Sequence, residues 1–190
     1  ESILGCGGQV ILPKNYLKEI FSEIRRNNAL CIVDEVQTGF GRDGRNFWSF
    51  EEHDVVPDIV TLGKPMGNGH PIAAVITTEK IASTFNNGME YFNSFGGNPV
   101  SCARGTSVLQ TGKKEKLHEH ALEVGAYLKQ QLFNLAKDFP IMGDVRGQGF
   151  FLGIELVDAQ KKPLPIQTDY LVNRMKAHGI LMSSDGLDHN

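Results

Sequence analysis

The chain has 190 residues and a mass of 21.0 kDa, with 41% apolar and 22% charged residues, 21 glycines and 3 cysteines. That makeup excludes a disordered chain, and the length fits one domain or one domain and part of a second. Lysine plus arginine number 19 against 22 acidic residues, so the net charge is −3 and nothing marks a nucleic-acid partner or an anionic membrane surface.

The longest apolar runs, residues 29–33 and 72–76, fall far short of the roughly 20 residues a membrane helix needs, so no membrane association is expected. Glu1-Ser2-Ile3-Leu4-Gly5 lacks an initiator Met, a basic n-region and an apolar h-region, and reads as a segment of a longer chain. Cys6, Cys31 and Cys102 are odd in number and widely spaced, which predicts reduced thiols and a cytoplasmic location.

In chain order, Leu17, Ile20, Phe21 and Ile24 mark one apolar helix face after Pro13, stopped at Asn27-Asn28. Residues 29–33 form a continuous apolar run, as in a strand buried on both faces, ending at Asp34-Glu35. Further strands are expected at 59–62 and 72–77. Asn98-Pro99 opens a helix to about 109, and Leu117, Ala121, Val124, Leu128, Leu132 and Leu135 stripe a longer one ended by Pro140. Residues 145–157 read as a strand or hairpin, and Thr168 as the cap of a last helix stopped at Gly179. Strands alternating with helices imply an α/β fold with a mostly parallel sheet. A boundary near 140 divides a larger α/β part, 1–140, from the beginning of a smaller α+β unit, 141–190.

Ligands of open α/β sheets sit beyond the carboxyl ends of the strands, where this sequence places Asp34 and Lys64. Pro65 biases Lys64 toward extended backbone, and Gly63, Gly67 and Gly69 let the chain approach a ligand closely. A lysine desolvated in such a loop becomes a neutral amine able to form a Schiff base, and an aspartate beside a pyridine nitrogen keeps that nitrogen protonated. The pair suits pyridoxal 5′-phosphate. Two decoys fail on context. Gly39-Phe40-Gly41-Arg42-Asp43-Gly44 spells a dinucleotide fingerprint, but neither follows its strand directly nor opens an amphipathic helix. His118 and His120 stand two apart on a helix, on different faces, and no metal is assigned.

Four motifs in order, Asp34-Glu35-Val36-Gln37-Thr38-Gly39-Phe40-Gly41-Arg42, Gly63-Lys64-Pro65-Met66-Gly67-Asn68-Gly69-His70-Pro71, Asn93-Ser94-Phe95-Gly96-Gly97-Asn98-Pro99 and Val145-Arg146-Gly147-Gln148-Gly149, resemble class III aminotransferases of pyridoxal-phosphate fold type I. The resemblance implies that Lys64 holds the cofactor and moves the proton, and that Asp34 partners the ring nitrogen. By the same likeness Val36 lies on the ring face and Gln37 near its phenolic oxygen. Ser94, where the family usually has Thr, meets the cofactor phosphate across a homodimer interface, and Arg146 takes a substrate carboxylate. Two activities follow from the likeness. The first is transfer of an amino group from an amine or ω-amino acid to a keto acid through the Lys64 Schiff base. The second is a phospho-lyase eliminating phosphate from phosphoethanolamine or phosphohydroxylysine, a branch resembled by His70, the 90–95 segment and Ser183-Ser184. A third reading is an inactive fragment or scaffold, and the segment alone is expected to show little catalysis.

Overall fold

The computed structural model describes residues 1–190. Two short strands, β1 (Ile3–Leu4) and β2 (Val10–Ile11), pair antiparallel around a glycine turn closed by Gly8 N–H donating to the Gly5 carbonyl at 2.9 Å. Gly8 sits at φ +94°, a left-handed backbone that residues with a Cβ rarely adopt.

Helix α1 (Tyr16–Arg26) follows as expected, burying Leu17 and Phe21. Its exit overturns the expected start of the next strand. Asn28 takes φ +55° and Ala29 N–H still bonds the Ile24 carbonyl, so Ala29 and Leu30 leave the helix and β3 covers only Ile32–Asp34. Strand β4 (Ile59–Leu62) pairs parallel to β3, and β5 (Ala74–Thr77) pairs antiparallel to β4. Leu17, Phe21, Cys31, Val33, Val60 and Leu62 form the core between α1 and this sheet, closed by Phe50 and Val55. The chain covers one sheet face only: Val33 is 2% exposed while its neighbour Ile32 is 61% exposed.

Helix α2 (Glu79–Phe85), capped by Thr78, was not anticipated because Ile81 and Phe85 alone do not make an apolar stripe. Helix α3 (Pro99–Lys114) starts at the expected Asn98 cap, whose side-chain oxygen accepts Ser101 N–H at 2.9 Å, and runs on through a polar tail. Helix α4 (Leu117–Asp138) is packed against an antiparallel hairpin of β6 (Met142–Gln148) and β7 (Phe151–Leu156). Helix α5 (Pro165–Ala177) closes the described fold. Thr168 lies inside α5 rather than capping it: Pro165 takes the first helical position, and the Thr168 hydroxyl donates back to the Leu164 carbonyl at 3.0 Å.

Candidate active site

Parallel pairing puts the carboxyl ends of β3 and β4 at the same edge of the sheet, with Asp34 opposite Thr61 in register. Asp34 is the last residue of β3. Two residues past β4, Lys64 opens a tight 3-10 turn, Lys64–Met66, closed by Met66 N–H donating to the Gly63 carbonyl at 2.8 Å. Extended backbone therefore stops at Gly63, and Pro65, whose fixed φ suits a 3-10 turn, bends the lysine loop instead of extending it. An acid and an amine thus leave neighbouring strands side by side.

Both groups are exposed in this chain, so the desolvation expected for the lysine is not supplied by these residues. Asp34 Oδ1 accepts Val36 N–H at 2.8 Å, a turn that fixes the residue following the strand. Val36 lies against Gly63: a β-carbon there would stand 3.3 Å from Val36 Cγ1. Gln37 turns the other way, its Nε2 donating to Cys6 Sγ at 3.5 Å and lying where a β-carbon on Gly5 would approach within 2.5 Å. Thr61, on the face where Asp34 projects, keeps a buried hydroxyl with no partner.

The sequence reading missed Glu35, which is 0% exposed. Strand alternation sends it to the face opposite Asp34, where Oε2 accepts the Thr38 hydroxyl at 3.0 Å and Ser49 N–H at 3.1 Å, and Oε1 accepts Phe50 N–H at 3.0 Å. Burial pushes its carboxyl above the ordinary glutamate value of 4.5, and the three donated hydrogen bonds oppose that rise. Glu35 ties the loop that carries Val36 and Gln37 to the 3-10 turn Ser49–His53. Alternation from the apolar Val33 was the signal that could have found it.

Arg146, on β6, is joined to the loop after β3 only indirectly, through the turn at residues 5–8. Its Nε donates to the Gly8 carbonyl at 2.7 Å, so the turn at residues 5–8 touches Gln37 on one side and Arg146 on the other. Nη1 is ion-paired with Asp144 at 3.0 Å and with Glu155. Ser94 stands apart from all of these, exposed in the segment before α3. That segment is tied to the lysine loop indirectly: His70 Nε2 and Ser101 Oγ are 2.8 Å apart, and Asn98 Nδ2 donates to the same hydroxyl at 2.8 Å.

The decoys have structural employment. Gly39 to Gly44 forms turns in which Asp43 Oδ1 accepts Arg45 and Asn46 N–H groups. His118 packs on Phe47 with ring centroids 5.6 Å apart, and His120 on Phe150 at 5.9 Å. The three cysteines are free, Cys31 buried and Cys6 and Cys102 exposed. No helix is long and apolar enough to cross a membrane.

The aminotransferase class-III family matches residues 1–188. The chain belongs to the class III aminotransferases. It is 47% identical over 194 aligned positions to an alanine–glyoxylate aminotransferase 2-like protein of Drosophila melanogaster, covering 100% of this chain and 39% of that one. Mitochondrial alanine–glyoxylate aminotransferase 2 of Homo sapiens is 50% identical over 167 positions, 87% of this chain and 32% of the human protein. Among solved structures, a phospholyase from Arthrobacter in complex with phosphoethanolamine superposes with a TM-score of 0.95 at 39% identity, covering 100% of this chain and 46% of that one. The chain therefore spans less than half the length of these relatives. The family is enzymatic, adopts the fold type I architecture and uses pyridoxal 5′-phosphate. The residues present fit that group, since an amine and a carboxylate share one sheet edge with the unpartnered Thr61 hydroxyl, and Val36 adds apolar surface.

Proposed function

We propose that the protein transfers an amino group from an amine or ω-amino acid to a keto acid, with Lys64 as the catalytic residue. The observation that carries this reading is the exit of Asp34 and Lys64 from two hydrogen-bonded parallel strands at one sheet edge. Pyridoxal phosphate, when bound, supplies an electron-withdrawing ring that stabilises negative charge at the substrate carbon.

Lys64 Nζ would hold the cofactor covalently and would carry the proton at the reacting carbon. Asp34, whose Oδ1 accepts Val36 N–H, would keep a proton on the ring nitrogen through Oδ2. Val36 would supply apolar surface for the ring face, and Gln37 would offer its amide to the phenolic oxygen on release from Cys6 Sγ. Ser94 would donate to the cofactor phosphate of a partner subunit, and Arg146 would take a substrate carboxylate.

A homodimer is supported by the run of exposed apolar residues around Ser94: Phe85, Met89, Tyr91, Phe92 and Phe95 are 67% to 82% exposed. The division into 1–140 and 141–190 is supported by the separate hydrogen-bonded sheets on either side of α4. Free cysteines support a reducing compartment. Such thiols suit the cytoplasm, and the mitochondrial matrix, suggested by the human relative's name, is the alternative that fractionation separates.

A second reading, phosphate elimination from a phosphorylated amino alcohol, is favoured by the acids around Arg146, which compete with the carboxylate of a keto acid. Borohydride reduction of the full-length holoenzyme followed by peptide mapping tests the common core, with label expected on Lys64. Label on another lysine overturns the assignment. Alanine formed from pyruvate with an amine donor supports transfer; phosphate released from phosphoethanolamine without any acceptor supports elimination.

A further inference from the structure

Ser2 and Gln148 are far apart in sequence, yet the Ser2 hydroxyl and the Gln148 Nε2 are both buried and neither has a hydrogen-bond partner. Ser2 as a whole is 2% exposed. Buried polar groups are normally paired, so two orphans in one place call for a partner that the chain does not supply. Both residues line a single cleft of about 450 Å³, bordered by β1, β2, the 3-10 turn Ser49–His53 and the end of β6. One water needs only about 15 Å³, so the cleft has room for a larger polar molecule.

Asp43 lines the same cleft and is also 2% exposed. Its Oδ1 accepts the Arg45 and Asn46 N–H groups at 2.8 and 3.0 Å, while its Oδ2 takes no hydrogen bond and no basic side chain pairs with it. A carboxylate withdrawn from water without a counter-charge is costly, and a cation in the cleft would supply one. The hairpin tip sets Gln148 close to this acid, since a β-carbon on Gly149 would stand 2.5 Å from the Asp43 carbonyl oxygen. Of the other lysine and acid side chains lining the cleft, Glu52 is held by Arg45 at 2.9 Å and Asp54 and Lys14 cancel, so the uncompensated charge is that of Asp43.

We propose that this cleft binds a small amino alcohol in its ammonium form. The ammonium donates to Asp43 Oδ2, and the hydroxyl oxygen accepts from Gln148 Nε2 while its hydrogen goes to Ser2 Oγ. A hydroxyl satisfies both orphans without bringing a second negative charge beside Asp43, which a carboxylate would do. Lys64 takes no part, so the proposal goes beyond the amino-transfer reading and does not depend on it.

The probe is N,N-dimethylethanolamine, which carries the ammonium N–H and the hydroxyl and, as a tertiary amine, forms no Schiff base with an aldehyde. Isothermal calorimetry on the full-length holoenzyme is expected to show saturable binding. Asp43→Asn, which keeps an oxygen to accept the Arg45 and Asn46 N–H groups, raises the Kd roughly tenfold, the scale of one charge-assisted hydrogen bond. Gln148→Met and Ser2→Ala each raise it roughly threefold, the scale of a neutral one. Circular dichroism establishes that each variant is folded, and the Gln148 and Ser2 variants decide the matter should Asp43→Asn unfold. Absence of saturable binding to the wild type, or one Kd shared by the wild type and the folded variants, overturns the proposal. So does a crystal structure of the full-length protein grown with the probe in which the cleft holds water alone or is filled by protein.

Discussion

Gly125 of α4 and Gly149 at the tip of the β6–β7 hairpin meet backbone to backbone. A β-carbon on Gly125 would stand 2.5 Å from the Gly149 carbonyl carbon, and one on Gly149, at φ +55°, would stand 2.5 Å from the Asp43 carbonyl. Phe150 N–H donates to the Arg42 carbonyl at 3.1 Å and Lys129 Nζ to the Gly147 carbonyl at 2.8 Å, so the tip is wedged between the long helix and the loop that follows the Asp34 strand. Gly125→Val forces the helix off the hairpin and is expected to cost about 2–4 kcal/mol, in the range of severe overpacking. Gly112→Ala on α3, where nothing lies within 4 Å, is the control. Thermal unfolding of the two variants checks the contrast, and equal melting temperatures would refute the wedge.

Glu35→Gln replaces a carboxylate accepting three hydrogen bonds with an amide whose nitrogen cannot accept, leaving at least one buried donor unmatched. The expected loss at neutral pH is about 1–3 kcal/mol. Because the folded carboxyl titrates above its unfolded value of 4.5, the native state binds more protons in the window above that value. The Glu35 contribution is therefore largest below pH 4.5 and declines as pH rises through the folded pKa. The wild-type advantage over Glu35→Gln should shrink with rising pH across that window in urea unfolding curves. An advantage that grows there contradicts the direction of the shift.

Lys64→Ala is expected to abolish turnover in the full-length enzyme while leaving the fold intact, since the side chain is exposed and outside the core. Turnover at the wild-type rate, with unaltered circular dichroism, would remove Lys64 from the chemistry.

Ser94→Ala should weaken cofactor retention roughly tenfold, the value of one hydrogen bond to a charged phosphate, without moving the borohydride label from Lys64. Equilibrium dialysis of pyridoxal phosphate reads the first quantity and peptide mapping the second. Unaltered retention would exclude Ser94 from the phosphate site.

Asn98→Ala removes the cap of α3 and the hydrogen bond that orients Ser101 toward His70. The cap alone is worth about 1 kcal/mol. Amide hydrogen exchange should accelerate in the first turn of α3 and at residues 67–70 together; acceleration confined to α3 would uncouple the two segments.

Much of the fold was legible because local signals and packing agreed. The α1 stripe, the Asn98-Pro99 cap and the apolar run of β4 each predict the element that forms. Boundaries failed where a single backbone angle decided them, as at Asn28, or where a proline claimed a helix start ahead of a plausible cap, as at Pro165. The exits of Asp34 and Lys64 were readable because the ends of parallel strands are ligand positions in such sheets. Glu35, Asp144 and Glu155 were not read, because each acts through a partner distant in sequence or across a hairpin, and the pattern of a single strand does not reveal which backbone amides or guanidinium nitrogens it meets.

The small turn at residues 5–8 has one further consequence. It abuts the Gln37 amide and accepts the Arg146 guanidinium through a main-chain oxygen, so it acts as a spacer between the β6–β7 hairpin and the loop that leaves the Asp34 strand. Lengthening or shortening that loop would shift the hairpin relative to the sheet edge while the paired strands bearing the acid and the amine stay as they are.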